Sequence, residues 1–137
     1  MRRTIALSFI LIAQPLLAQT MTTAAEIKPI LTLTKPQWVA VREFDGKDLI
    51  YFTNLLAWRC GVTSVSYGLN GAAPDTPLPM EPCYEGEAVP NAFKADQPIL
   101  PYIEAALGSV TALSVRVTYD DGSTDTADYD RKAVLMP

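Results

Sequence analysis

Apolar and polar positions alternate most strictly near the C-terminal end, where Leu113, Val115, Val117 and Tyr119 interleave with Ser114, Arg116, Thr118 and Asp120. Side chains of an extended chain point to opposite faces with a period of two, so this segment predicts a half-buried strand. Asp120-Asp121-Gly122-Ser123 supplies turn chemistry, and Thr124 to Tyr129 returns with Ala127 and Tyr129 facing in, which predicts a hairpin. A second alternating run, Val62 to Leu69, sets Thr63, Val65, Tyr67 and Leu69 on one face and Val62, Ser64, Ser66 and Gly68 on the other.

Gln37 to Phe44 is Val-rich and flanked by aromatics, a strand by composition, with Trp38, Ala40, Arg42 and Phe44 sharing a face. Asp45-Gly46-Lys47-Asp48 reads as a short hairpin loop leading to a partner strand at Leu49 to Phe52. Asp48 to Gly71 holds the densest apolar and aromatic run outside the N-terminus and is taken as the core stretch. Within it, Asn54 to Cys60 buries the same residues whether extended or helical, and the reading favours a strand running into a short helical turn before Gly61. Ala72 to Pro101 carries seven of the eleven prolines. Proline lacks a ladder donor, so a long Pro-rich crossover loop of ordered coil is expected, with no partner strand after Asn70-Gly71. Ile99 to Ile103 reads as a short edge strand and Ala133 to Met136 as a last short strand. Residues 19–36 read as a flexible leader in which Ile30 to Thr34 alternates well enough for an edge strand.

These elements predict a mainly β chain: an antiparallel β-sandwich of about seven short strands, immunoglobulin-like, with at most one short helical turn and residues 37–137 as its single domain. The N-terminus predicts export. Met1-Arg2-Arg3 is a basic start, Thr4 to Ala13 is apolar, and Pro15-Leu16-Leu17-Ala18 leads to a small residue, so residues 1–18 read as a secretory signal cut after Ala18. The apolar run is half the roughly 20 residues a membrane span requires, so no span is expected after cleavage and the protein is placed in the periplasm or outside the cell.

Loss of Arg2 and Arg3 leaves 9 Lys and Arg against 15 Asp and Glu, a net charge of −6. Phosphate backbones and anionic membranes select cationic surfaces, which disfavours nucleic acid and lipid as partners and leaves another exported or envelope protein. Cys60 and Cys83 form an even pair in a chain with an export signal and are expected to be bridged. Closing a loop of about 24 residues this way stabilises by about 3 kcal/mol in the chain-entropy description.

The chain has no histidine, which removes the usual general base of hydrolytic triads and the commonest zinc ligand. No Gly-rich phosphate loop is present, so no cofactor is implied. Asp120, Asp121 and Asp125, with Asp128 and Asp130, form the one acidic cluster; a weak calcium site competes there with a plain solvated hairpin. Carboxylates, Lys, Tyr and Ser remain for catalysis; a carboxylate-dependent glycosidase is physically allowed, and a small sandwich gives it little room. Trp38, Trp58, Tyr51, Tyr67 and Tyr84 offer a stacking platform for sugar or another small ligand, against the alternative of core packing. Arg59, beside Cys60, is the candidate for an acidic ligand group, or else pairs locally with a carboxylate. The leading reading is a non-enzymatic, protein-binding module, with carbohydrate or small-ligand binding as the alternative.

Overall fold

A computed structural model describes residues 10–13 and 20–137, and the expected signal at residues 1–18 lies outside them apart from residues 10–13. A threonine cap starts the first element. Thr23 is extended and its Oγ1 accepts the Glu26 N–H at 3.3 Å, while Glu26 accepts the Thr23 hydroxyl at 2.8 Å and the Met21 N–H at 3.0 Å. Such reciprocal bonds satisfy amides that a helix start leaves open. Helix α1 (Ala24–Leu33) follows and buries Ala24, Ile27 and Leu31, spaced three and four apart. The expected flexible leader, with its edge strand at Ile30 to Thr34, is thus corrected to a helix docked on the core. Pro29, inside the helix, forgoes an i→i−4 bond and stands on the exposed side. Thr34 closes the helix, its N–H and Oγ1 both donating to the Ile30 carbonyl, and a single 3₁₀ turn at Lys35–Gln37 leads into the strands.

Strands β1 (Ala40–Phe44) and β2 (Lys47–Tyr51) are joined by Asp45 and Gly46, both at positive φ (50° and 71°), the two-residue turn that matches strand twist. Lys47 and Asp48 therefore belong to β2 and not to the loop. Helix α2 (Thr53–Leu56) is one turn that buries Leu55 and Leu56, so the strand favoured at the start of Asn54 to Cys60 is corrected to helix. β3 (Val62–Leu69) carries an irregularity between Val62 and Ser64, which turns Thr63 outward while Val62 and Val65 both stay buried. A two-residue β4 (Thr76–Pro77) pairs with Ser66 and Tyr67 where no partner was expected. β5 (Tyr102–Ala106) starts later than the alternation suggested, while β6 (Ala112–Tyr119) and β7 (Thr124–Asp130) form the predicted hairpin with Ala127 and Tyr129 facing in. The expected last strand is instead α3 (Arg131–Val134), after which Leu135 makes a single parallel bridge to Val41.

The chain is mainly β, with two antiparallel sheets ordered β1-β2-β5 and β4-β3-β6-β7. Among the described residues three helices and a 3₁₀ turn stand where at most one short helical turn was expected. One hydrophobic cluster joins Val41 and Ile50 of the first sheet, Val65, Val115 and Val117 of the second, and Ile27 and Leu31 of α1. No helix among the described residues is long and apolar enough to cross a membrane.

Two buried charges fasten the irregular parts. Asp48, 0% exposed, accepts the Gly108 and Val110 N–H groups at 3.0 and 3.1 Å and both terminal nitrogens of Arg131 at 2.6 and 3.0 Å. It thereby ties the β5–β6 connection and the start of α3 to the middle of the first sheet. Arg59, 3% exposed, donates to the carbonyls of Glu81, Pro82, Asn91 and Ala92 at 2.7–3.0 Å. Next to it Cys60 is bridged to Cys83, with Cα atoms 5.0 Å apart. Asn91 completes the clamp, accepting the Cys60 N–H at 2.8 Å and donating to the Met21 carbonyl at 2.9 Å.

The two fasteners on the long segment are separable by mutation. A Cys60→Ser, Cys83→Ser double variant is expected to lose about 2–4 kcal/mol in urea denaturation. Arg59→Leu, which strips four carbonyls of a donor and leaves the Glu81 carboxylate without its cation, is expected to lose about 3–5 kcal/mol and to admit protease between Met80 and Phe93, read by mass spectrometry of limited digests. Equal protease resistance in Arg59→Leu and the parent would refute the clamp.

Asp48 makes stability depend on acid. Hydrogen bonds from Arg131 first, then those from Gly108 and Val110, hold its carboxyl well below the ordinary carboxylate range against the opposing effect of burial. A depressed folded pKa stabilises fully above the unfolded value, near 3.9, and the contribution is lost as pH falls from there through the folded value. Asp48→Asn is therefore expected to cost about 3–5 kcal/mol at neutral pH and to show a shallower loss of stability below about pH 4 than the parent. Urea midpoints across that range test it, and parallel pH curves would contradict it.

Candidate functional site

The residues singled out by sequence do not converge. Trp38 is fully buried in the core cluster, its Nε1–H donating to the Leu31 carbonyl at 2.9 Å, so it packs α1 onto the fold. Trp58 is half-buried against the same cluster. Arg59 and Tyr84 are brought together, the guanidinium 5.4 Å from the ring, with Phe93 at 5.3 Å as a second ring. Arg59 also has Glu81 at 3.9 Å, and burial pulls its pKa down while Glu81 and Tyr84 push back. Tyr84 donates to Glu81 at 2.7 Å; burial and that carboxylate raise its phenol to about 12. All of these donors are engaged by the protein itself, which makes the Arg59 neighbourhood a structural clamp.

The acidic cluster is likewise engaged. Asp121 pairs with Lys28 of α1 and caps Ser123, Asp125 pairs with Lys35 at 2.5 Å, and Asp120 accepts from Thr63 at 3.2 Å. Lys28 and then Ser123 hold the Asp121 carboxyl well below its ordinary range. Among the described residues no group of three or more Cys, Asp or Glu stands where it could share a metal ion.

What the structure assembles instead is the outer face of the three-stranded sheet. Register places Ala40, Tyr51 and Tyr102 in one row, Arg42, Leu49 and Glu104 in the next, and Phe44, Lys47 and Ala106 in the third. Directly opposed residues in antiparallel strands share a face, and these rows lie opposite the core residues Val41 and Ile50. Tyr51 and Tyr102 stack with centroids 5.1 Å apart, Arg42 lies 4.3 Å from the Phe44 ring, and Lys47 pairs with Glu104 at 2.8 Å. Arg42 and Tyr51 are a wall common to two hollows. One, of about 350 Å³, runs past Gln37, Trp38 and Ala40 to Thr53, Asn54 and Met136; the other, of about 230 Å³, lies over Leu49 between Phe44 and Tyr102.

At the side of this face the β5 edge has no strand partner among the described residues. The Phe52 N–H donates to the Pro101 carbonyl at 2.8 Å, which fixes the phase of the ladder. Hydrogen-bonded pairs alternate in antiparallel strands, so Ile103 and Ala105 turn their main-chain groups to β2, and Tyr102 and Glu104 turn theirs outward. Leu100 and Leu107, each 55% exposed, flank the strand. Chemically the face offers stacking area, a guanidinium and unpaired main-chain groups, which are means of recognition.

Arg42, Phe44 and Tyr102 were not among the sequence candidates. Alternation in β1 does place Arg42 with Phe44, but only the pairing of β2 with β5, some fifty residues apart, brings Tyr102 beside Tyr51. Compared with known proteins, the chain matches no family model, and no curated protein or solved structure matches it.

Proposed function

We propose that this is an exported, non-enzymatic protein with an immunoglobulin-like sandwich fold, which holds another exported or envelope protein by adding one of that partner's strands to β5. The single observation that carries the reading is the β5 edge. The other three sheet edges are managed: Leu135 and Met136 lie along β1, with the Met136 N–H on the Val41 carbonyl at 2.8 Å. β7 is overlain by Lys35, which reaches Asp125 and Thr126 and accepts from the Tyr129 hydroxyl. β4 is two residues long and includes a proline. Native sheets cover, shorten or break their edges to avoid unwanted pairing, and a strand left open is a template for a partner.

The sandwich reading rests on strand order. In the seven-stranded immunoglobulin arrangement the first, second, fifth and fourth strands form one sheet and the third, sixth and seventh the other. Here only the fourth strand differs, pairing with the third. Export is supported by the N-terminal pattern together with the Cys60–Cys83 bridge, because such bridges persist in oxidising compartments. A second reading, small-ligand binding, is favoured by the Tyr51–Tyr102 pair and the hollows beside it.

Proline at an outward-facing N–H costs an edge strand no ladder bond but blocks an added strand. Glu104→Pro is therefore expected to keep the fold by circular dichroism yet lose at least about tenfold in partner capture from the exported fraction, whereas Glu104→Ala keeps capture. Recovery of the parent only as a free monomer, or equal capture by Glu104→Pro, would overturn strand addition.

A further inference from the structure

We propose that the groove between β1 and α2 binds a small monocarboxylate carried on an apolar, ring-sized body, with Arg42 as the residue that takes the acid group. The inference deepens the small-ligand reading and is independent of strand capture at β5, because the groove opens at the β1 side of the sheet. Four arginines lie among the described residues, and three have carboxylate partners: Arg59 with Glu81, Arg116 with Asp75, and Arg131 with Asp48 and Glu43. Arg42 has none, and it donates no hydrogen bond to any described group. Its plane is held instead by the Phe44 ring at 4.3 Å, a contact that uses no N–H donor. A guanidinium presents five donors in a fixed fork that matches a carboxylate, so Arg42 stands oriented with its fork unspent.

The groove beside it suits the rest of such a ligand. Its volume, about 350 Å³, is near the small end of ligand sites, which run from about 300 to 1,000 Å³. Trp38, Val39, Ala40 and Met136 give it apolar walls, and Tyr51 and Asn54 give it polar ends. Asn54 is already fixed, its Nδ2 donating to the Gln37 carbonyl at 3.1 Å, which leaves its Oδ1 as an oriented acceptor. The chain is acidic overall, with a net charge of −4. A polyanion or an acidic peptide would meet that field with Arg42 as the one cation lining the groove, whereas a single carboxylate on a neutral body matches one lone guanidinium.

Titration of the ¹⁵N-labelled protein with 3-phenylpropanoate and with its neutral counterpart 3-phenylpropan-1-ol, followed by NMR, tests the proposal. Saturable shifts at Ala40, Arg42, Tyr51 and Asn54 are expected with the acid, and at least about tenfold weaker binding with the alcohol, the size of one charge-assisted hydrogen bond. Arg42→Gln, at an exposed position where substitutions leave folding nearly unchanged, is expected to remove the same factor for the acid and nothing for the alcohol. Ala40→Leu, which fills the groove, is expected to abolish both. Equal binding of acid and alcohol would refute the role of Arg42 while leaving the small-ligand reading standing. No saturable binding of either probe up to about 20 mM would refute both, and Glu104→Pro, at the far edge, is expected to leave the titration unchanged.

Discussion

A buried guanidinium fastens the middle of the long segment between β3 and β5. Apart from Thr76 and Pro77, that stretch has no strand or helix, and its prolines cannot donate. Buried carbonyls without partners each cost on the order of a hydrogen bond, so a coil of this kind needs a donor from elsewhere. Arg59 is that donor, meeting two places ten residues apart, Glu81–Pro82 and Asn91–Ala92. Removing its charge from water is costly, and the cost is offset by the Glu81 carboxylate and by the faces of Tyr84 and Phe93. The disulfide at the next residue acts differently, restricting the unfolded chain while Arg59 orders the folded one.

Asp48 does for the first sheet what Arg59 does for the long segment, with the sign of the charge reversed. A carboxylate is an acceptor only, and here its two oxygens meet two backbone amides and an arginine fork, so its lone pairs are well used. The consequence for recognition is indirect. Asp48 and Glu43 belong to the row on the opposite face with Arg131, and Glu104, the carboxylate in Arg42's own row, is paired with Lys47, so Arg42 stays without a carboxylate.

How much of this is legible in sequence follows the distance over which each feature is decided. The β6–β7 hairpin is readable because alternation and turn chemistry are local, and the bridge because two cysteines allow one pairing. α1 was readable too: Thr23-x-x-Glu26 is a capping box, and Ile27 and Leu31 have helical spacing. Pro29 and the alternation of Ile30 to Thr34 pointed the other way and carried the expectation. The tendency of a single Pro to break a helix is overridden by burial of the opposite side. Asp48 reads as a loop residue because it follows Asp45-Gly46, and nothing near it announces a partner 83 residues away. Arg59 and Trp38 leave ligand binding and local packing both open in sequence for a similar reason, since what fills their surroundings arrives from Glu81 to Ala92 and from Leu31.

Charge acts against pairing of the open β5 edge with a second copy. Antiparallel pairing of two copies centred on Glu104 sets two carboxylates directly opposite each other, and like charges so placed destabilise a sheet. Each Glu104 has a lysine on its own β2, half-exposed and therefore worth little against that repulsion. The geometry also limits any shift of register. The Ala106 carbonyl is taken by the Ser109 N–H at 3.0 Å, so the usable outward groups are those around Tyr102 and Glu104. A foreign strand with a cation or a polar residue opposite Glu104 meets neither obstacle and finds Tyr102 and Tyr51 beside it on the outer face. Under the strand-addition proposal, the charge that disfavours self-pairing also favours a partner of different sequence, a case of specificity built from a repulsive element as much as from an attractive one.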